Sequence, residues 1–257
     1  MSDVVGYDVD AGVALITLNR PDALNAWTVD MGRDYLRRID QAAADPEVRA
    51  VVLTGAWRGF CAGADMSLLK DVMAGRMPPP DSVRPDDEVE SAVPKPVIAA
   101  INGPCVGLGL TRALYCDVRF LSAGVELSTA FARRGLVAEH GQSWILPRVV
   151  GWSRALDLLL SGRSVGADEA LRIGLVDRVV DDALAAALAY AREIARVCSP
   201  AALRDIKRQL WGDANATLHD AIERAGELML ASFTRADLAE GVASYLEKRA
   251  PDFPPLT

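Results

Sequence analysis

The most informative stretch of the chain reads Lys95-Pro96-Val97-Ile98-Ala99-Ala100-Ile101-Asn102-Gly103-Pro104-Cys105-Val106-Gly107-Leu108-Gly109. Its apolar run from Pro96 to Ile101 predicts a buried strand, and Asn102-Gly103 predicts the turn that ends it. The small residues that follow lead into a helix predicted to begin near Leu110. A helix start offers free N–H groups and the positive end of the helix dipole, which suit a developing oxyanion. The stretch therefore predicts a strand, turn and helix that present backbone donors to a ligand.

A second segment of the same kind lies earlier in the chain, as Gly59-Phe60-Cys61-Ala62-Gly63-Ala64-Asp65-Met66. It follows a predicted buried strand from Ala50 to Gly55. Its small residues would let a ligand approach the main chain closely, and Asp65 can cap a following helix. Either segment alone is more often structural than catalytic. The two together, in this order, are a more specific signal.

The rest of the chain predicts an α/β fold. Further apolar runs predict strands at Val13–Leu18 and Val118–Leu121, and Thr28 is predicted to cap a helix. Strands that alternate with helices favour parallel pairing through crossovers. From about Gln142 onward the pattern is mostly helical, with helices predicted over 181–197 and 201–211.

One acidic, proline-rich stretch interrupts this pattern between the predicted strands at Ala50–Gly55 and Pro96–Ile101. The segments Met77 to Asp81 and Pro85 to Glu88 cannot build a packed core, so they predict a mobile loop. The acidic residues from Asp81 to Glu90 are expected to be solvated.

Composition excludes several classes of protein. The net charge of −7 over 257 residues argues against nucleic acid as the main partner, because phosphate binding needs a surplus of Lys and Arg. No apolar run is long enough to span a bilayer, and the N-terminus lacks a secretory signal. The four cysteines form no CxxC pair, and with only two histidines they predict no metal site. We expect a cytoplasmic protein with buried free thiols, without a nucleic-acid or membrane partner.

Taken together, the motifs resemble the enoyl-CoA hydratase/isomerase (crotonase) family. The resemblance extends over most of the chain and is weakest towards the C-terminus. The segments that carry it are Leu18-Asn19-Arg20-Pro21, Ala23-Leu24-Asn25-Ala26, Phe60 to Asp65, Lys95 to Gly103, Cys116-Asp117, Leu146 to Gly151, Gly174 to Asp177 and Ser199-Pro200-Ala201.

The resemblance implies a crotonase-like ββα spiral core over residues 1–198 and a helical region over 199–257. It implies assembly as a homotrimer or a dimer of trimers, an acyl-CoA substrate, and no cofactor beyond the coenzyme A of that substrate. The backbone N–H groups of Ala64 and Leu108 would form an oxyanion hole, and fixed donors of this kind contribute about 3–4 kcal/mol each. The residues expected to contact the substrate are Ala26, Ala62, Asp65, Met66, Gly107, Thr111 and Phe131.

Two positions depart from the hydratases of this family, which use two glutamates to add water. Those glutamates would fall at Thr111 and Phe131. Thr111 could hold a water but cannot be a strong base near neutral pH, and Phe131 can do no proton chemistry. Glu139 matches the position where some family isomerases keep an acid/base carboxylate. The sequence therefore predicts an enoyl-CoA isomerase that uses Glu139.

Two alternatives remain open at this point. One is a hydratase that uses Glu139 with a water held by Thr111. The other is a catalytically silent acyl-CoA-binding homologue that has lost the glutamates. Four further residues carry secondary predictions. His140 and Asp117 are predicted to be structural. Lys207 and Arg208 are predicted either to lie on a solvated helix face or to meet the phosphates of coenzyme A.

Overall fold

The computed structural model describes residues 4–76 and 89–256, so the loop predicted over 77–88 lies outside the described residues. The described strands are β1 Val5–Asp10, β2 Val13–Leu18, β3 Ala50–Gly55, β4 Val97–Ile101, β5 Cys105–Val106, β6 Val118–Ser122, β7 Glu126–Ser128, β8 Ser164–Gly166 and β9 Arg178–Val180. The described α-helices are α1 Val29–Ala44, α2 Met66–Met73, α3 Val89–Ala92, α4 Leu108–Tyr115, α5 Gln142–Val150, α6 Trp152–Ser161, α7 Ala167–Arg172, α8 Ala183–Val197, α9 Pro200–Asp213, α10 Leu218–Ser232 and α11 Ala236–Glu247.

The main sheet has six strands in the order β1-β2-β3-β4-β6-β9. Strands β1 and β2 pair antiparallel, whereas the pairs from β2 to β9 are parallel. Every residue of β3 and β4 is buried, because helices cover both faces of the parallel part. This is why their sequences are continuous apolar runs rather than alternating ones. The predicted α/β core with parallel pairing is confirmed. A second sheet holds the short strands β5, β7 and β8.

Helix α8 covers one face of the main sheet with alanines. Ala183, Ala187, Ala191 and Ala195 recur every four residues and pack against sheet residues such as Val52. Residues four apart lie on one face of a helix, and the absence of larger side chains lets the helix axis approach the strands closely. The predicted helix over 181–197 begins two residues later than expected, since the Asp182 side chain caps it by accepting a hydrogen bond from Ala185 N.

The C-terminal helices leave much apolar surface exposed. Helix α10 buries none of its residues in the single chain. Exposed apolar side chains on α9, α10 and α11 are Ile206, Leu210, Leu218, Ile222, Met229, Leu230, Phe233, Leu238, Val242, Tyr245 and Leu246. Exposed apolar side chains in this number are typical of a region where another surface packs. Within the described ranges, none of the helices combines the length and apolar character needed to cross a membrane.

Lys207 fixes α9 to the body of the protein. Its buried ammonium donates hydrogen bonds to the carbonyl oxygens of Glu90 (2.8 Å) and Lys95 (3.2 Å) and to the Asp117 carboxylate (2.8 Å). Both expectations for Lys207, a solvated helix face and a contact with coenzyme A phosphates, are therefore wrong. The predicted structural role of Asp117 is confirmed, because the same carboxylate oxygen also accepts a hydrogen bond from Val97 N at 2.7 Å.

Candidate active site

The two glycine-rich segments lie against each other beyond the carboxyl ends of β3 and β4. Cys61 and Cys105 pair as an isolated parallel bridge. Cys61 N donates to Pro104 O at 3.1 Å, and Val106 N donates to Cys61 O at 2.9 Å. Gly109 lets α4 approach this bridge, since a Cβ there would lie 2.5 Å from Cys61 O. The two segments therefore form one backbone-to-backbone unit.

Leu108 opens α4, and its N–H has no acceptor within the described ranges. The reason is general, because the first N–H groups of a helix have no carbonyl one turn earlier to bind. Gly107 precedes it with φ 53° and ψ −117°, a backbone conformation suited to glycine. This turn orients the start of the helix.

Ala64 is the matching residue on the first segment. Its neighbours are both engaged: Trp27 N donates to Gly63 O at 2.8 Å, and Asp65 N donates to Trp27 O at 2.9 Å. The N–H of Ala64 itself meets no acceptor in the part of the chain that the structure describes. Two open N–H groups thus belong to adjoining turns, and both residues line one cavity.

The cavity beside these turns has a volume of about 830 Å³. This lies within the usual range for small-molecule and cofactor sites. All the predicted site residues except Thr111 line it, namely Ala26, Ala62, Ala64, Asp65, Met66, Gly107, Leu108, Phe131 and Glu139. The structure therefore brings together residues that are more than a hundred positions apart in the sequence.

Thr111 does not line the cavity. It is fully buried, and its hydroxyl donates to the carbonyl oxygen of Gly107, one turn earlier in the same helix, at 3.2 Å. Such bonds satisfy a helical threonine within its own helix. The structure therefore places the Thr111 hydroxyl against the backbone of α4 and not at the cavity wall, and gives no support to the predicted contact with substrate or water. Phe131 does line the cavity, and its ring lies close to Gly107.

Glu139 lies in the segment between Gly135 and α5 and is partly buried at the cavity wall. Its carboxylate makes no hydrogen bond or ion pair with any described residue, although its carbonyl accepts a bond from Gln142 N at 3.0 Å. The segment is held by its main chain. His140 adopts φ 52°, and its carbonyl accepts a hydrogen bond from the Tyr115 hydroxyl at 3.2 Å. The main chain thus holds Glu139 at the cavity wall, and its carboxylate has no ion-pair partner among the described residues.

Asp65 is the other carboxylate at the cavity wall. One of its oxygens accepts hydrogen bonds from the N–H and the hydroxyl of Ser67, and the other accepts a bond from Arg20 at 2.9 Å. The bonds from Ser67, and then the Arg20 guanidinium, hold the pKa of Asp65 below its ordinary value. The predicted helix cap at Asp65 is confirmed. Its carboxylate has a structural role.

Three cysteines near the two turns are fully buried free thiols. Burial raises the pKa of Cys61 to about 11 and the pKa of Cys105 and Cys116 well above its ordinary value. A thiol that stays protonated is a poor nucleophile near neutral pH. Cys198 differs from the expectation of burial, because it is only partly buried.

The comparisons with known proteins decide the family. A family profile described as enoyl-CoA hydratase/isomerase matches residues 8–255. The chain belongs to this family. It is 40% identical to the probable enoyl-CoA hydratase echA12 of Mycobacterium leprae, with 92% of this chain and 85% of that protein covered. It is 35% identical to the 1,2-epoxyphenylacetyl-CoA isomerase of Escherichia coli, with 98% of this chain and 99% of that protein covered.

Solved structures support the same assignment. A probable enoyl-CoA hydratase/isomerase from Mycobacterium abscessus is 32% identical, with a TM-score of 0.90, and covers 98% of this chain and 99% of its own. An enoyl-CoA hydratase from Bacillus anthracis is 28% identical, also with a TM-score of 0.90, and covers 97% and 98%. The crotonase-like fold predicted from the motifs is confirmed. The names of the relatives include both hydratase and isomerase, so they establish an acyl-CoA enzyme of this family and leave its reaction undetermined.

Sequence reasoning missed one group of polar residues in this crotonase-family cavity. Glu90, expected to be solvated, has a fully buried side chain, because α3 packs between α1 and α4. It accepts a hydrogen bond from the hydroxyl of Tyr35 and another from Arg112 Nη1 at 3.4 Å. Tyr35 and Arg112 line the cavity, together with Trp27. An arginine among the apolar residues of the predicted α4 was the only signal available in the sequence.

Proposed function

We propose that this protein is an enoyl-CoA isomerase in which Glu139 transfers a proton between two carbons of the acyl group. One observation carries the proposal. Two carboxylates stand among the described residues of the cavity wall, and Ser67 and Arg20 engage that of Asp65, whereas that of Glu139 is available. A general base must be able to accept the proton it removes, and a carboxylate at the cavity wall without other described partners is available to do so.

The reaction begins at the thioester. The N–H groups of Ala64 and Leu108 bind its carbonyl oxygen, and the dipole of α4 favours the negative charge that develops there. Glu139 removes a proton from the α carbon of a 3-enoyl-CoA, and the electron pair moves into the thioester to give a dienolate. Glu139 then returns the proton to the γ carbon, which leaves a 2-enoyl-CoA. Because only a proton moves, the reaction needs no cofactor beyond the coenzyme A of the substrate.

Hydration of a 2-enoyl-CoA is the second candidate, and the names of several relatives favour it. Adding water requires one group to activate the water and a proton source for the α carbon. Neither Thr111 nor Phe131 supplies these groups. The Thr111 hydroxyl is bound to Gly107 O, and the Phe131 side chain is a hydrocarbon ring. Glu139 would then have to perform both steps. We therefore place isomerisation first.

The test is Glu139→Gln, which keeps the size of the side chain and removes the base. Conversion of 3-enoyl-CoA to 2-enoyl-CoA should fall by about two to four decades. The matched control is Glu126→Gln, a change of the same kind at an exposed residue of β7, outside the cavity. Hydration of 2-enoyl-CoA, followed in parallel, should be slow in the native enzyme.

Two outcomes would contradict the mechanism. Fast hydration that survives Glu139→Gln would put the proton chemistry on another residue. Tight binding of acyl-CoA without turnover of any enoyl-CoA would favour a catalytically silent homologue.

We also propose that the chain assembles as a homotrimer or a dimer of trimers and acts in the cytoplasm. The exposed apolar side chains of α9, α10 and α11 support the assembly, because such a surface gains stability when a second copy covers it. The helical region over 199–257 would supply this contact.

A further inference from the structure

The polar group at the cavity wall consists of Tyr35, Glu90 and Arg112. All three side chains are buried, and they come from three separate helices, α1, α3 and α4. Glu90 joins them by accepting hydrogen bonds from the other two. We call these three residues the Arg112 cluster. Charged side chains are seldom buried without a compensating role, so a cluster beside a ligand cavity invites a functional explanation.

The cluster is near the place where the acyl group must lie. Arg112 follows Leu108 by four residues, which puts both on one face of α4 about 6 Å apart along the axis. Both residues line the same cavity. With the thioester oxygen at Leu108 N–H, an acyl chain that extends into this cavity along α4 would have the guanidinium on its wall.

The charges of the cluster select the kind of group it can recognise. Glu90 compensates the charge of Arg112, and Tyr35 stays protonated because burial and the neighbouring Glu90 raise its pKa well above its ordinary value. The cluster is therefore neutral overall. An anionic acyl group would bring an uncompensated charge into a buried place, whereas a neutral oxygen would not. A guanidinium has five N–H donors in a fixed fork, so it can hold Glu90 and an acyl oxygen together.

We propose that Arg112 makes this enzyme selective for acyl-CoA substrates that carry a neutral oxygen, such as a hydroxyl or keto group, on the part of the acyl chain beyond the reacting carbons. Arg112 donates a hydrogen bond to that oxygen, and Glu90 and Tyr35 hold the guanidinium in place. This inference rests on the proposed function for the position of the acyl group. A site that is built to hydrogen-bond a polar substrate group discriminates against analogues that lack it.

A purely structural role for the cluster makes a different prediction. The Arg112 guanidinium lies 5.9 Å from the centre of the Trp27 ring, and the Trp27 backbone is bonded to Gly63 and Asp65 on either side of Ala64. The cluster could thus act only as a brace, that is, by supporting the turn that contains Ala64 without contacting the substrate. Loss of a brace would slow every substrate by the same factor, whereas loss of a recognition group would change the preference between substrates.

The experiment measures binding and turnover for matched pairs of acyl-CoA. Saturated acyl-CoA with a straight chain is compared by calorimetry with the same chain carrying one hydroxyl or keto group, moved in steps along its distal part. The same pairs of 3-enoyl-CoA are compared by kcat/KM. The native protein should prefer the oxygenated member by about tenfold or more at the best position, as expected for a hydrogen bond to a charged donor.

The variant is the double substitution Glu90→Gln with Arg112→Met, which removes both charges of this ion pair together. Its preference should fall to about one, and Arg112→Lys should retain part of it. An equal loss of rate for both members of each pair would identify a brace and overturn the proposal. If the double variant does not fold, the native series still decides, because absence of a preference at every position refutes the inference.

The two proposals fail separately. Calorimetry with saturated ligands needs no turnover, so a preference for oxygenated ligands in a protein that isomerises nothing would refute the proposed function alone. Isomerisation of plain and oxygenated substrates at equal kcat/KM, with equal binding, would refute the selectivity alone.

Discussion

Gly109 offers a direct test of how the two glycine-rich segments support catalysis. It lies in the first turn of α4, one residue after the proposed donor Leu108, and packs on Cys61 of the other segment. The perturbation is Gly109→Ala, which adds one methyl group at this contact. Alanine is the better helix former, so any loss must come from the contact itself.

The magnitude follows from the geometry. The new Cβ would lie 2.5 Å from Cys61 O and 2.7 Å from Cys61 Cβ, whereas ordinary contact begins near 3.4 Å. The segments must separate by about 0.9 Å, because the nearest atom is a backbone oxygen and cannot rotate away. Displacing a catalytic group by about 1 Å can cost about a hundredfold in rate. Overpacking should lower the free energy of unfolding by about 1–3 kcal/mol.

The assay is isomerisation of 3-enoyl-CoA, with denaturant unfolding measured on the same samples. We expect kcat to fall about a hundredfold while most of the affinity for acyl-CoA remains. The matched control is Gly212→Ala in the last turn of α9, where a Cβ meets no atom within 4 Å. That variant should keep native activity and stability, or gain slightly in stability. A folded Gly109→Ala enzyme with native kcat would refute the claim that the contact fixes the oxyanion hole.

Two further predictions concern the donors and the assembly. Leu108→Pro removes the N–H at the first position of α4, where proline is well tolerated, so isomerisation should fall at least about a hundredfold. Leu108→Ala keeps the N–H and should retain most activity, and equal activity of the two variants would exclude this donor. Light scattering should give a mass near three or six times 27.5 kDa, and Leu230→Asp with Phe233→Asp on the exposed face of α10 should lower it. A clean native monomer at micromolar concentration would contradict the trimer.

The fold was predictable where local signals and burial agree. Strands β2 and β3 have the predicted bounds because a continuous apolar run in a parallel sheet is bounded by polar turn residues. The Thr28 cap of α1 was also predictable from the local sequence, because threonine can accept a hydrogen bond at a helix start, and its side chain does so from Met31 N. The apolar residues of α10 were predictable from the sequence, whereas helical spacing does not show what covers them.

The positions of the cavity residues were predictable where backbone groups in small-residue turns form the cavity wall. Ala64, Gly107 and Leu108 belong to turns whose small residues have a local meaning, and the cavity includes all three. The hydrogen bond of the Thr111 hydroxyl within α4 was not predictable, because a helical position alone does not say which acceptor a hydroxyl binds. Glu90 was misjudged because the run of acids before it suggested solvent, whereas its partners Tyr35 and Arg112 are far away in sequence. Such long-range pairs leave no local pattern.

Lys207 and Glu90, whose positions differ from the sequence prediction, link the C-terminal helices to the wall of the cavity. Lys207 of α9 donates to the carbonyl oxygen of Glu90, and the side chain of Glu90 in turn holds Arg112 at the cavity wall. A buried ammonium needs all its acceptors, so the position of α9 and the conformation of α3 depend on each other. Helix α9 therefore supports the cavity wall within one chain, whereas the apolar side chains of α10 and α11 are exposed and would meet a second copy in the proposed assembly. With the proposed assembly, the helical region would have two separable tasks, and these would account for its buried lysine and its exposed apolar surface.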